Sequence, residues 1–287
     1  MMTIPADAAG LDYFPCRYGA SKAVFRGPPR DLSGPFVAML GGSATFGKYL
    51  ERPFAARVEQ ALGRPVANLG ALNAGPDFYL ADPAVLDIAA RADVAVLQVT
   101  GAEALSNPFY SVHSRRNDRF VAASPALRSL FPQVDFAEIH FTRHLLQVLE
   151  RSDGIAFATV VQGLKDTWLD RMRKLLSHLP GGRVLLWLAD DPPPAIAVAL
   201  EPAPAFVDRA MLEALRSEVD EIVIAVPSPH ARSRAALDMI YPETEAMLAA
   251  GLPGAAVHAE VAAELAPVVE RLLSKRKGPP EGSPLCT

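Results

Sequence analysis

Five short apolar runs set what this chain can fold into: Phe36–Leu40, Pro65–Leu69, Val94–Val99, Arg183–Ala189 and Glu221–Val226. Each has the length of a strand, and each is apolar at consecutive positions instead of alternating ones. That pattern belongs to strands buried on both faces, as in a parallel sheet covered by helices. Helical spacing lies between nearly all of them: from Pro53 to Gly63, Pro83 to Arg91, Phe136 to Glu150, Phe157 to Leu179, Val207 to Arg216 and Ala259 to Leu273. The expected architecture is a three-layer α/β/α sandwich around a five-stranded parallel sheet, with its site at the carboxyl ends of the strands.

The first run ends in Gly41-Gly42-Ser43-Ala44-Thr45-Phe46-Gly47-Lys48. Two glycines after a strand permit a tight turn and a close backbone approach, so a small nucleophile or an anion fits there. Two readings follow. Gly42 to Lys48 matches G-x-x-x-x-G-K, the loop that cradles nucleotide phosphates. Against it, Tyr49 stands where a Mg²⁺-binding hydroxyl belongs, and Pro53 places the helix start beyond the lysine. The other reading makes Ser43 a nucleophile in the strand-to-helix turn.

Further blocks in chain order favour the serine. Asn68-Leu69-Gly70 and Asn73-Ala74-Gly75 follow the second strand, Gly101-Ala102-Glu103-Ala104 the third, and Gly254-Ala255-Ala256-Val257-His258 precedes the last helix. Together these resemble the blocks of the SGNH (GDSL-like) hydrolases, over residues 36–107 and more loosely 220–273. That resemblance implies a flavodoxin-like sheet and a serine esterase or acyltransferase acting on a small ester or O-acylated, possibly carbohydrate, substrate. It implies Ser43 as nucleophile, His258 as base, and an oxyanion hole built from Gly75 and Asn107, with Gly70 as second choice to Gly75. Thr45, His113 and Arg116 are the expected ligand contacts. The resemblance implies no metal or nucleotide cofactor.

Several family positions are altered. Gly42 replaces an Asp, Glu103 an Asn, and Ala255 the Asp that precedes the histidine. An imidazole without that carboxylate lacks the group that fixes its tautomer, unless Asp238 or Glu260 serves instead. The alternative function is a degenerate member of the fold that binds or assembles without turnover.

The remaining chain adds boundaries. Residues 1–34 read as an arm packed on the domain, in which Arg17, Arg26 and Arg30 either line a ligand site or, as the better expectation, anchor a crossing segment. Residues 35–274 read as one α/β domain with a helical insertion at about 124–180, and 275–287 as a disordered tail. His140 and His144 have i, i+4 spacing, but no third zinc ligand accompanies them. A net charge of −4 argues against a nucleic-acid surface built on bulk charge. Two distant cysteines, Cys16 and Cys286, argue for a reducing compartment. With no visible signal segment and no apolar run near membrane-spanning length, the expected location is the cytoplasm and the expected partner a small molecule.

Overall fold

A computed structural model describes residues 10–179, 181–234 and 237–276. Its strands are β1 (Val37–Leu40), β2 (Val66–Asn68), β3 (Val94–Gln98), β4 (Tyr110–His113), β5 (Arg116–Ala123), β6 (Gly182–Leu188) and β7 (Glu221–Ala225). Five of them form one sheet in the order β2-β1-β3-β6-β7. Every pairing in it is parallel, with Val37 opposite both Val66 and Val94. The five apolar runs are thus the five strands, and the expected α/β sandwich is the observed architecture.

The helices are α1 (Ser43–Phe46), α2 (Phe54–Leu62), α3 (Pro76–Leu80), α4 (Pro83–Ala90), α5 (Pro125–Leu130), α6 (Thr142–Ser152), α7 (Gly154–Ser177), α8 (Arg209–Glu213), α9 (Pro229–Ser233), α10 (Ala246–Ala250) and α11 (Ala255–Arg276). Alternation along the strands sorts them into two layers. Ala38, Leu40, Leu97, Leu185 and Trp187 face a core shared with Phe78, Leu86, Leu164 and Trp168 of α3, α4 and α7. Val37, Met39, Val94, Val96 and Leu186 face the opposite core, shared with Phe54 and Val58 of α2 and Val261, Leu265 and Val269 of α11.

Residues 243–276 do reach the length and apolarity of a membrane-crossing segment, contrary to expectation. In the fold this stretch includes α10 and α11, and the apolar stripe of α11 covers the sheet. Lys275 and Arg276, assigned to the tail, continue α11; residues 277–287, including Cys286, lie outside the described residues.

The segment between β3 and β6 differs most from expectation. The polar stretch around His113–Arg119 is a hairpin, β4 antiparallel to β5. Phe141 then bridges to Arg119, and Phe120 donates its N–H to His140 O. Residues 139–141 are drawn out as an extension of that hairpin, so α6 starts at Thr142 and not at Phe136. α7 starts at Gly154 because Asp153 caps the N–H groups of Ile155 and Ala156.

The arm is held by aromatics and one buried cation. Phe25 is fully buried and packs edge-on to Phe78, while Tyr13 lies 5.2 Å from Phe46. Arg26 is buried as well, not solvated. Its guanidinium donates to the carbonyls of Gly47, Leu50 and Glu51 and lies over the Tyr13 ring. Burial lowers its pKa to about 10. Arg30 pairs with Glu59, so Arg26 and Arg30 anchor the arm, while exposed Arg17 donates to Lys22 O within the arm itself.

Candidate active site

In a sheet of this order, the chain leaves β1 toward β2 on one side and later returns to β3 on the other. The loops after β1 and β3 therefore diverge and open a crevice at the carboxyl ends of the strands. Ser43 stands at its edge. Gly41 and Gly42 carry the chain off β1, and Gly41 is packed too tightly for a side chain. A Cβ on Gly41 would overlap Thr45 Oγ1 and come within 2.6 Å of the Gln98 side chain. The Tyr79 hydroxyl accepts the Gly41 N–H at 2.7 Å and lies 3.0 Å from Leu69 O, tying β1 to the loop after β2.

Within the single turn of α1, the side chains of Ala44, Thr45 and Phe46 are buried and only Ser43 faces outward. Thr45 is fully buried, and its hydroxyl donates to Gln98 Oε1 at 2.6 Å. The same oxygen accepts the N–H groups of Gly42 and Thr45. Thr45 is therefore part of the scaffold of the turn, not the ligand contact expected of it. Gln98, the last residue of β3, does the holding; its sole trace in the sequence is a polar residue closing an apolar run.

Ser43 Oγ meets the loop after β2. It accepts the Asn73 N–H at 3.1 Å and lies 3.3 Å from Asn73 Oδ1, to which it donates. Asn73 has φ +55°, a left-handed conformation that asparagine tolerates, and this turns its N–H and its side chain toward the serine. The backbone donor at the Ser43 hydroxyl thus belongs to Asn73. Gly75, expected in that role, gives its N–H to Asn117 Oδ1 at 2.8 Å.

The hairpin supplies the second wall. His113 pairs with Arg116 and Val112 with Phe120, so one step along β4 faces four along β5. Asn117, Asp118 and Arg119 lie in that bulge, which re-aims consecutive side chains at the same target. Asn117 is fully buried between Gly75 and His113 O. Asp118 Oδ2 accepts Asn73 Nδ2 at 3.2 Å, while Asp118 Oδ1 is buried with no partner among the described residues. The stretch is rich in hydrogen-bonding groups, and nothing in its sequence signals which of them turn inward. His113 and Arg116, the expected contacts, sit at the exposed end of the hairpin, and His113 Nδ1 accepts the Arg115 N–H. Arg115 lines an apolar cleft with Lys22, Phe46, Leu72 and Phe78, beside the Ser43 loop.

The other expected members are elsewhere. Asn107 shapes the entry to β4: its Oδ1 accepts the N–H groups of Phe109 and Tyr110, and its Nδ2 donates to Leu105 O. Nothing of it is left for an oxyanion. His258 lies on α11 in the opposite core, almost fully buried, with Nδ1 accepting the Phe54 N–H at 2.9 Å. Burial first, then the positive charges of Arg57 and Arg26, hold its pKa down to about 3. It makes no hydrogen bond to Ser43. Nor do the substitute acids reach it: Glu260 binds Ser228, and Asp238 pairs with Arg234.

Glu103, in the place of the family's asparagine, has Oε2 buried without a partner among the described residues, and burial raises its pKa. Lys48 is turned away from the turn to Glu245, 2.9 Å off, and the Gly47 N–H donates to the carbonyls of Ser43 and Ala44. With its lysine and its amides so engaged, the phosphate-loop reading fails. His140 and His144 are both exposed, and His140 precedes α6, so they do not share a helix face. No cluster of three metal-ligating side chains occurs among the described residues.

A family model described as "Domain of unknown function (DUF6473)" matches residues 1–273. No curated protein matches the chain. Similar solved structures include a variant of Axe2, an acetylxylan esterase from Geobacillus stearothermophilus, at 14% identity and TM-score 0.40 over 84% of this chain and 94% of that one. A possible lipase from Chitinophaga pinensis is 13% identical at TM-score 0.38, over 83% and 98% of the two chains. A protein from Lactobacillus plantarum is 12% identical at TM-score 0.39, over 83% and 97%.

Proposed function

For a chain that belongs to the family described as Domain of unknown function (DUF6473), we propose a function drawn from the site: SGNH-like acyl transfer at Ser43, on a small ester or an O-acylated carbohydrate, in the cytoplasm. The observation that carries it is the Ser43 hydroxyl, presented at the carboxyl end of β1 with the Asn73 N–H 3.1 Å from its oxygen. Ser43 Oγ bonds to the acyl carbon and the bond from that carbon to the alcohol oxygen breaks. The serine proton passes to solvent, and the leaving alkoxide takes one from solvent. Water, or an acceptor alcohol, then cleaves the acyl-serine.

Negative charge on the carbonyl oxygen is met by the N–H of Ser43, which opens α1 and has no intrahelical acceptor, while the Asn73 N–H stays on Ser43 Oγ. Such donors supply the largest share of stabilisation in acyl transfer. Because His258 is engaged elsewhere, the site works without a positioned imidazole. General acid–base help is worth about 10²–10⁴-fold, so turnover is slow and favours leaving groups that need no proton.

The test is a serine-directed fluorophosphonate together with p-nitrophenyl acetate. Ser43 is labelled, the ester is cleaved slowly with a rate that climbs with pH and has no inflection near 6.5, and Ser43→Ala loses both. The second reading, a binding or assembly module of the same fold, is favoured by the sealed position of His258. Complete inertness of the folded wild-type protein toward both reagents would establish it instead.

A further inference from the structure

The Ser43 hydroxyl is not held by a base, but it is oriented. An asparagine amide has two ends of nearly equal size, and its partners decide which end faces where. At Asn73 the deciding partner is Asp118. An ionised carboxylate only accepts hydrogen bonds, so Asp118 Oδ2 takes the Nδ2 end at 3.2 Å. The Oδ1 end is left for Ser43, 3.3 Å away. The serine proton is then drawn toward the amide oxygen while its oxygen accepts the Asn73 N–H. With the amide reversed, Nδ2 would point at Ser43 and compete for the lone pair that attacks.

Asp118 is well placed to impose this order. Asn73 is exposed and water competes for its side chain, whereas Asp118 is fixed by the bulge of β5. Its neighbour Asn117 is locked to Gly75, and its own carbonyl accepts the Thr142 hydroxyl. Its Oδ1 is also buried with no partner among the described residues. Leaving a buried acceptor unpaired is costly, and a carboxylate kept at that expense points to a role beyond packing.

We propose that Asp118 is a positioning residue for Ser43, acting through the side-chain amide of Asn73. The inference rests on the Ser43 reading above, and two measurements keep their failures apart. The first is the rate of fluorophosphonate labelling at Ser43. Asp118→Ala lowers it about a hundredfold, the scale of an ångström of misplacement, without a change in melting temperature. Asp118→Asn, whose carbonyl can still accept from Asn73, recovers most of the loss. Equal rates in wild type and Asp118→Ala, or an Asp118→Asn rate as low as that of Asp118→Ala, overturn the proposal.

The second measurement needs no reactivity. The Asn73 side-chain NH₂ signal in ¹⁵N NMR, identified by its loss in Asn73→Asp, moves when Ser43→Ala is introduced. In the Asp118→Ala background the same Ser43→Ala change leaves it in place. A displacement of equal size in both backgrounds defeats the proposal, even if no ester is ever turned over. Lack of labelling in the wild type alone strikes only the Ser43 reading.

Discussion

Phe54 gives its backbone N–H to His258 Nδ1 at 2.9 Å and stacks its ring on the imidazole at 5.4 Å. The two lie 204 positions apart in sequence, and their contact ties the first turn of α2 to the first turns of α11. It also decides the chemistry. An imidazole whose ring nitrogen already accepts a buried amide proton is a structural acceptor.

His258 should make folding sensitive to mild acid. Its native pKa, about 3, lies below the ordinary 6.5, so the unfolded chain binds the extra proton. Its contribution is fully present above about pH 6.5 and is lost as pH falls toward 3. Urea midpoints measured at pH 7 and pH 4 should show this drop in the wild type and a smaller one in His258→Leu. At pH 7 that variant leaves the Phe54 N–H unpaired and loses about 1–3 kcal/mol. Labelling of Ser43 in the folded variant is expected to persist; its disappearance would return His258 to the active site.

Glu103 has the opposite sign. Burial raises its pKa, with its own backbone N–H and Arg143 working the other way. The native state therefore holds the proton to higher pH than the unfolded chain, and stability falls as pH rises through the native pKa. Glu103→Gln should raise the melting temperature at pH 8 and have little effect at pH 4. Calorimetry at the two pH values checks this, and an equal effect at both would show that the carboxyl is not what titrates.

Gly70 is the third point of test. A Cβ there would strike Phe46 N and come within 2.6 Å of the Thr45 carbonyl carbon, backbone that cannot swing aside. Gly70→Ala should cost about 1–3 kcal/mol, the usual range for overpacking, and should lower Ser43 labelling because α1 must shift. Gly63→Ala, with open space around its Cβ but φ +59°, should be destabilised by backbone strain while labelling is kept.

The sheet could be read from the sequence because a strand buried on both sides announces itself by composition alone, and even the half-buried edge strand β7 keeps an apolar run, Ile222 to Ala225. The turn that carries Ser43 was legible for a related reason, since a glycine pair closing such a run leaves little but a tight turn. The partners of Ser43 were not. Asn73 differs from Gly75 by two places in a loop whose left-handed residue is not a glycine, so the usual marker pointed to the wrong amide. The hairpin carries Ser-Val-His-Ser-Arg-Arg-Asn-Asp, without the alternation that betrays a strand, and its bulge breaks even the two-residue period that remains. His258 stands at the start of a helix after the last strand, where a catalytic base and a core histidine look alike. Only the element packed across from it tells them apart.

Arg26 carries one more lesson, for anyone who would trim this protein. Its guanidinium belongs to the leading arm, yet the oxygens it satisfies, on Gly47, Leu50 and Glu51, belong to the loop that follows the Ser43 turn. A fragment cut to begin at the first strand would keep every residue of the sheet and still lose the clasp that closes the floor beneath Ser43. The smallest piece that keeps this contact therefore starts upstream of the sheet, and the arm and the Ser43 turn are inherited or discarded together.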